Sequence, residues 1–209
     1  MLPDEGRVGL GAATIIKHKT LIFTYESPHE PPLSLYYTIP FMMAFGRGLW
    51  VLKLAPIFFG LGAIFMTYLF AKEYFSTRVA AVAALFMAVL PFAVEYSRTL
   101  YEHSFAPFFS AGAIYFFARL LRDKKPCSLY WFAAFAGLGC STHIVFLYFI
   151  AALVASAIAS GEYARLKVDI RSGIIASLVF LFCAIPFFCL LALSSNLPGI
   201  LRSSGGVGA

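Results

Sequence analysis

Residues 128–160 read SLYWFAAFAGLGCSTHIVFLYFIAALVASAIAS, a run of 33 residues with no Asp, Glu, Lys or Arg and a single His, His143. One continuous helix of this length would measure about 50 Å, whereas the hydrocarbon core of a bilayer is about 30 Å thick. The run is therefore predicted to fold back on itself. The break is expected within GLGCSTH, residues 137–143, because glycines and small polar side chains weaken a helix and can supply backbone partners.

The composition of the whole chain indicates a lipid environment. Of the 209 residues, 61% are apolar and 12% are charged, and 23 are Phe. Soluble domains usually carry about 25% charged residues, so a water-soluble globule and a disordered chain are both excluded. The net charge of +6 does not indicate a nucleic-acid partner, because the basic residues are distributed between apolar segments. The four cysteines lack paired spacing and predict no disulfide framework or zinc site.

The predicted fold class is all-α, a polytopic integral membrane protein with about six transmembrane helices. A span needs about 20 apolar residues, and residues 49–71 and 172–194 meet this length. Two shorter uncharged segments reach it with their flanking residues, and the folded-back run supplies two more. The predicted spans are residues 49–71, 79–97, 101–121, 126–141, 144–160 and 172–194.

The basic residues predict the orientation of these spans. Nine of them fall in three loops on one side of the membrane, whereas the connections between spans and the tail on the other side contain only Arg98 and Arg202. Lys and Arg concentrate in cytoplasmic loops, so the three basic loops are predicted to be internal. A single crossing by residues 128–160 would move the third basic loop to the other side, so orientation and fold-back support each other. The nine residues are Lys72, Arg78, Arg119, Arg122, Lys124, Lys125, Arg165, Lys167 and Arg171.

Residues 1–48 are predicted to form an external loop. Within it, residues 4–18 predict a short amphipathic helix capped by Asp4, suited to the membrane surface. Residues 33–46 are apolar but too short to span, so an interfacial or re-entrant helix is expected. Residues 195–209 are interpreted as a truncated external tail. Because a further membrane helix is expected before residue 1, the chain is interpreted as a fragment that is inactive by itself.

Polar side chains from four connections fall on the side predicted to be external. Together, carboxylates and imidazoles in one place could form a general-base or metal site. The alternative is a set of hydrated loop residues, in which Asp4 caps a helix, His143 is neutral and bonded to a carbonyl, and Arg98 extends to the headgroups. The residues concerned are Asp4, Glu5, Arg7, His29, Glu30, Glu95, Arg98, Glu102, His103, Thr142 and His143.

The order of several motifs resembles the GT-C glycosyltransferases. PDEGR at residues 3–7 is followed by EPPL at residues 30–33 and by an aromatic stretch that ends at residues 45–46. YSR at residues 96–98 and the glycines of the fold-back also match in position. The resemblance covers about residues 3–151. It is to the protein mannosyltransferase and lipid A aminoarabinose transferase group, including sugar transferases of the rhizobial lipopolysaccharide galacturonosyltransferase type.

This resemblance implies an enzyme that moves a sugar from a polyprenyl-phosphate donor to a protein, lipid or glycan acceptor. It implies transfer at the extracytoplasmic face of the cell membrane, with inversion at the anomeric carbon and no nucleotide sugar. By resemblance the catalytic residues are Asp4 and Glu5, with Asp4 deprotonating or orienting the acceptor hydroxyl. His103 occupies the family's second acidic position, beside Glu102, so Asp4, Glu102 and His103 are candidate ligands of Mg²⁺ or Mn²⁺, or less readily Zn²⁺. The implied substrate-binding residues are Arg7, His29, Glu30, Arg98 and His143.

Two other functions remain open from the residues alone. A transporter or flippase would place ionisable residues or broken helices near the bilayer midplane between repeated halves. Here the charges lie at the ends of the predicted spans and no repeat is evident. A non-catalytic membrane subunit is the other alternative, and it would leave the acidic residues and the histidines scattered.

Overall fold

The computed structural model describes residues 3–18, 33–143, 145–161, 168–186 and 188. Every regular element within these ranges is a helix, which confirms the predicted all-α class for this part of the chain. Two short 3₁₀ turns, Val51–Lys53 and Glu102–Phe105, precede longer α-helices. The α-helices are α1 Pro3–His18, α2 Leu33–Phe45, α3 Leu54–Tyr74, α4 Thr77–Val89, α5 Pro91–Arg98, α6 Ala106–Asp123, α7 Pro126–Cys140, α8 Val145–Ala159 and α9 Ile170–Cys183.

Two helical stretches among the described residues are long and apolar enough to cross a membrane. They are Val51–Tyr74 and His103–Asp123, and α4 with α5 adds a third if the bent pair is one span. The helices α2, α7, α8 and α9 are apolar but contain 13 to 15 residues each, fewer than the roughly 20 that a span needs. The described helices therefore provide two or three spans, and the bundle of six remains a prediction.

The segment predicted as one helix over residues 79–97 consists of two helices bent by 59°. The bend lies at Leu90, which has extended backbone angles and precedes Pro91, the first residue of α5. A proline ring disfavours the helical conformation of the residue before it, which explains why α4 ends there. Pro91 itself fits the first helical position because its missing N–H needs no partner.

Helices α3 and α6 lie side by side and run in the same direction. Near the start of both helices, the ring centroids of Phe59 and Phe105 are 4.9 Å apart. At the other end, Glu73 forms ion pairs with Arg119 and Arg122. The chain must reverse between two helices that run the same way, and α4 with α5 provides this return.

Helices α7 and α9 form a second pair with the same direction. The Tyr130 hydroxyl donates a hydrogen bond to Ser172 Oγ at 3.2 Å, near the start of each helix. Near their ends, Ser141 Oγ donates to the carbonyl oxygen of Cys183 at 3.0 Å. The chain therefore turns back between α7 and α9, through α8. The break between α7 and α8 begins after Cys140, inside the segment where the sequence predicts it.

Helices α1 and α2 cover the end of the molecule at which α3 and α6 begin. Ala12 of α1 belongs to the same buried cluster as Leu52 and Phe105. Tyr37 of α2 packs on Phe59 and Phe105, with ring centroids 4.7 and 5.0 Å away. Burying a large apolar side chain contributes roughly 1.5–3 kcal/mol, so these contacts hold both helices on the bundle.

The two ends of the molecule thus differ in character. We call the end that carries α1, α2 and the turns at residues 98–103 and 141–143 the histidine end. The opposite end, formed by Glu73, Arg119, Arg122 and Asp123, we call the arginine end. This division decides which of the predicted site residues can meet.

Candidate functional site

Two histidines that are 40 residues apart in the sequence are in contact at the histidine end. The ring centroids of His103 and His143 lie 4.3 Å apart, and the ring planes meet at 63°. His103 belongs to the 3₁₀ turn before α6, and His143 to the connection between α7 and α8. Both were candidate site residues from the sequence, and the structure brings this pair together.

The turn that carries His103 is fixed by hydrogen bonds around one buried serine. Ser104 Oγ donates to the carbonyl oxygen of Thr99 at 2.5 Å and accepts from the backbone N–H of Tyr101 at 3.0 Å. Leu100 is fully buried beneath this turn. These contacts hold the backbone on both sides of His103 while its own ring stays exposed.

His143 is held in a definite orientation by the start of α8. The backbone N–H of Val145 donates to His143 Nδ1 at 3.1 Å. Because Nδ1 accepts this bond, the proton of the neutral imidazole lies on Nε2. Thr142, next to it, is buried and donates from Oγ1 to the carbonyl oxygen of Gly139 at 2.6 Å. The His143 ring is therefore held in one orientation and does not rotate freely as a surface side chain would.

We expect the stability of the protein to fall in mild acid because of His143. Partial burial, and then the neighbouring charge of His103, lower the pKa of His143 below its ordinary value of about 6.5. Because the pKa of His143 is lower in the folded protein than in the unfolded chain, the unfolded chain binds more protons in mild acid. The contribution of His143 to the free energy of unfolding is therefore fully present above about pH 6.5 and is lost as the pH falls toward the pKa of the folded state. The unfolding temperature measured at pH 7.5 and 5.5 is expected to drop less in His143→Gln than in the unchanged protein.

The matched control for this pH experiment is His18→Gln. His18 is exposed at the end of α1 and is not one of the two imidazoles in contact. Its replacement is expected to retain the full drop in unfolding temperature. An equal drop in His143→Gln and in the unchanged protein would contradict the assignment.

Arg98 is a further described candidate residue at the histidine end. It ends α5, is exposed, and borders a cavity of about 370 Å³ between α3, α4, α5 and the start of α6. No carboxylate in the described part of the chain forms an ion pair with it. An Arg without such a partner, beside an apolar cavity, is suited to bind an anionic group such as a phosphate.

Thr142 is the buried neighbour of His143 described above, and Glu95 lies exposed in α5, one turn before Arg98. The other candidate residues lie outside what the structure describes in atomic detail. The backbone of Asp4, Glu5 and Arg7 forms the first turns of α1, but their side chains are outside the description, as is that of Glu102. His29 and Glu30 lie outside the described residues altogether.

The position of α1 nevertheless places its first turns near the histidine end. A Cβ atom added at Gly9 would lie 2.7 Å from Leu52 Cδ1, so α1 packs closely on the turn before α3. Asp4 precedes Gly9 by five residues, about 7.5 Å along a helix axis. The backbone of Asp4 therefore lies within one or two helical turns of this contact.

The described residues do not by themselves form a metal site. Among them, no group of three or more His, Cys, Asp or Glu side chains is arranged to hold an ion. Of the two imidazoles only His103 can offer a ring nitrogen to an ion, because His143 Nδ1 accepts the Val145 N–H and Nε2 carries the proton. Further ligands would have to come from side chains such as Asp4 and Glu102. The ligand set Asp4, Glu102 and His103 remains a prediction.

The arginine end contains a charged cluster that the sequence does not indicate as a unit. Glu73 pairs with Arg119, with Oε1 3.6 Å from Nε, and also with Arg122. Asp123 pairs with both arginines, at 3.3 and 2.8 Å, and the Arg122 guanidinium lies 5.1 Å from the centre of the Tyr74 ring. Both arginines lie in the last turns of α6 rather than in a loop. From the sequence alone, only the Arg119–Asp123 ion pair could be predicted, because these residues are four apart in one helix.

Two solved structures share this fold. They are crystal structures of ArnT from Cupriavidus metallidurans, one in the apo state and one bound to undecaprenyl phosphate. Each matches with a TM-score of 0.76, at 18% and 19% sequence identity, and the matches cover 94% and 92% of this chain. They cover 38% and 37% of the ArnT chain, so this chain spans less than half of its length. At 18% and 19% identity, these matches show a common fold.

A sequence relative and a family profile identify the family. Over 70 residues the chain is 36% identical to "Putative mannosyltransferase YycA" of Bacillus subtilis (strain 168), a match that covers 34% of this chain and 10% of that protein. The profile of the dolichyl-phosphate-mannose-protein mannosyltransferases matches residues 29–189, more than half of the chain. The chain belongs to this family, which confirms the resemblance predicted from its motifs.

Proposed function

We propose that the protein transfers a sugar from a polyprenyl-phosphate donor to a protein, lipid or glycan acceptor. The observation that carries this proposal is the contact between His103 and His143 at the end where Arg98 and α1 also lie. Family membership supports a glycosyl transfer, and the ArnT complex with undecaprenyl phosphate supports this class of donor. The acceptor is one of the three classes named, all of which present a hydroxyl or amine nucleophile.

The proposed reaction is a single displacement at the anomeric carbon. Asp4, assisted by Glu5, removes or orients the proton of the acceptor, and the acceptor atom forms a bond to the anomeric carbon. The bond from this carbon to the phosphate oxygen breaks, and the polyprenyl phosphate leaves with the electron pair. Displacement from the opposite face inverts the configuration. A positioned general base typically contributes about 10²–10⁴-fold to such a step.

The groups proposed to bind the donor, apart from Glu30, carry or can acquire positive charge. Arg98 and the histidine pair would stabilise the negative charge that develops on the departing phosphate. The proposed substrate-binding residues are Arg7, His29, Glu30, Arg98 and His143. Where a divalent cation takes part, its proposed ligands are Asp4, Glu102 and His103.

We further propose that the histidine end faces the extracytoplasmic side of the cell membrane. The support is the concentration of basic residues at the arginine end and in the adjoining connection, including Lys72, Lys124 and Lys125. Cytoplasmic connections of membrane proteins are enriched in Lys and Arg. In this arrangement residues 1–48 form an external loop, residues 49–194 the membrane bundle and residues 195–209 an external tail.

The proposal predicts a strict preference for a lipid-linked donor. The protein is reconstituted in proteoliposomes with a membrane extract as acceptor, and radiolabelled sugars are supplied either on undecaprenyl phosphate or as nucleotide sugars. Labelled product is expected only from the lipid-linked sugars. The matched control is an empty proteoliposome preparation with the same acceptor. Product formed equally well from nucleotide sugars would contradict the proposed donor class.

A further inference from the structure

An apolar cavity of about 370 Å³ begins beside Arg98 and extends between the helices. Ile57 and Leu61 of α3 form one wall, and Ala93 and Val94 of α5 form the facing wall. Cavities of roughly 300–1,000 Å³ are large enough to bind a small ligand or a segment of a longer one. A ligand of this cavity has to match both its apolar walls and the positive charge of Arg98.

The bend between α4 and α5 accounts for the cavity. At Pro91 the chain turns by 59°, so α5 does not continue the direction of α4 along α3. Further along, α5 returns to α3, where a Cβ atom added at Gly60 would lie 2.7 Å from Ser97 Cβ. The helices are thus in close contact at Gly60 and separated beside it. The cavity therefore depends on Pro91, which produces the bend, and on Gly60, which permits the close contact.

The cavity connects the outer surface of the bundle with the candidate site. Ile57 and Leu61 are 41% and 62% exposed, so the α3 wall continues onto the surface expected to face lipid. At the polar end, Arg98 and Ser104 line the cavity, and Ser104 follows His103 directly in the chain. An apolar chain entering from the membrane would therefore carry its head group toward the histidine pair.

We propose that this cavity binds the isoprenoid chain of the donor next to its phosphate, and that Arg98 binds the phosphate itself. This inference rests on the proposed function and adds the place and orientation of the donor. The donor has one isoprenoid chain and one phosphate group, which match one cavity and the Arg98 guanidinium, for which the described residues provide no ion-pair partner. A phospholipid has two chains, so it fits this geometry less well. A guanidinium can also donate two parallel hydrogen bonds to a phosphate.

The first test fills the cavity in steps. Ala93 lines it from α5, and the variants Ala93→Val, Ala93→Leu and Ala93→Phe reduce its volume progressively. The Kd of undecaprenyl phosphate is measured by native mass spectrometry on protein in phosphatidylcholine nanodiscs. We expect the Kd to rise with side-chain size and to reach at least tenfold in Ala93→Phe. The matched control is Ala81→Phe on α4, which is exposed and does not line the cavity, and its Kd is expected to stay within twofold.

The second test separates the chain from the phosphate. Farnesyl phosphate keeps the first isoprene units and the phosphate, and we expect it to compete with undecaprenyl phosphate. Inorganic phosphate and phosphatidylglycerol are expected not to compete. The Arg98→Gln variant is expected to weaken binding of undecaprenyl phosphate about tenfold while leaving binding of the phosphate-free polyprenol unchanged.

The outcomes distinguish this inference from the proposed function. If the unchanged protein binds undecaprenyl phosphate and Ala93→Phe binds it as tightly as Ala81→Phe, the cavity assignment is wrong and the donor class stands. Equal displacement by phosphatidylglycerol also overturns the assignment, because the cavity is then a general lipid site. If the unchanged protein does not bind polyprenyl phosphate, both proposals fail. If Ala93→Phe does not fold, the Kd of undecaprenyl phosphate is measured instead for Ala93→Leu and for Leu61→Trp, which alters an exposed residue of the α3 wall.

Discussion

Replacement of Asp4 by Asn is expected to reduce sugar transfer about a thousandfold and to leave the affinity for the lipid-linked donor within twofold. The reason is that Asn cannot accept a proton from the acceptor, whereas a positioned carboxylate contributes about 10²–10⁴-fold as a general base. The measurement compares initial rates at saturating donor for the two proteins. Donor affinity is measured separately, so a loss of binding cannot be mistaken for a loss of chemistry.

This substitution also separates the two roles that Asp4 can have at the start of α1. The predicted cap at Asp4 is wrong, because α1 begins at Pro3 and Asp4 is its second residue. A residue whose role there is only a favourable charge at the positive end of the helix dipole would tolerate Asn with a small loss of stability and no loss of transfer. The matched control is Asp169→Asn at the start of α9, where Asp169 Oδ2 accepts from the Ser172 N–H at 3.3 Å. Transfer by this control is expected to stay within twofold. Unchanged transfer in Asp4→Asn would remove Asp4 from the reaction.

Gly137→Ala is expected to destabilise the protein by about 1–3 kcal/mol, the usual cost of overpacking a well-packed interface. A Cβ atom at this position would lie 2.6 Å from the carbonyl oxygen of Phe180 and 2.8 Å from Cys183 Cβ. The first of these is a backbone atom, so α9 itself would have to move. Because α7 leads directly into the turn that holds His143, transfer activity is expected to fall as well. The free energy of unfolding in detergent and the transfer rate together check this prediction.

The matched control for Gly137 is another helical glycine with open space around it. Gly173 lies in α9, and a Cβ atom there would meet no atom within 4 Å. Gly173→Ala is therefore expected to stabilise the protein by about 0.5–1 kcal/mol, because Ala loses less conformational freedom on helix formation. Equal effects of the two substitutions would show that the α7–α9 contact does not constrain Gly137.

The helical membrane fold could be predicted because its signal is local. The apolar run at residues 128–160 is too long for one span, and its small residues mark where a helix can end; α7 does end at Cys140. The bend at Leu90 has a local signal too, in Pro91, but the uncharged residues on both sides favoured one continuous helix. The number of membrane crossings is not decided by the described helices, since four apolar ones are shorter than a span.

The candidate site could be predicted only in part because it depends on how helices pack. The sequence indicates that His103 and His143 lie on the same side of the membrane, but their contact requires α6 to lie against α7. That packing depends on Gly112, where an added Cβ would overlap Phe135 Cε1. Likewise, the pairing of Glu73 with Arg122 depends on the register of α3 against α6. Spacing along the chain reveals neither contact.

The charged cluster at the arginine end bears on which parts of the protein can move during turnover. Glu73 is shared by two arginines on successive turns of α6, so sliding α6 along α3 by one turn would separate these charges. We therefore expect α3 and α6 to move together. Leu90 joins α5 to α4 outside this pair, and α5 approaches α3 closely where Gly60 meets Ser97. Opening a path for a lipid would then be a hinge rotation of α5 about Leu90, with the rest of the bundle at rest.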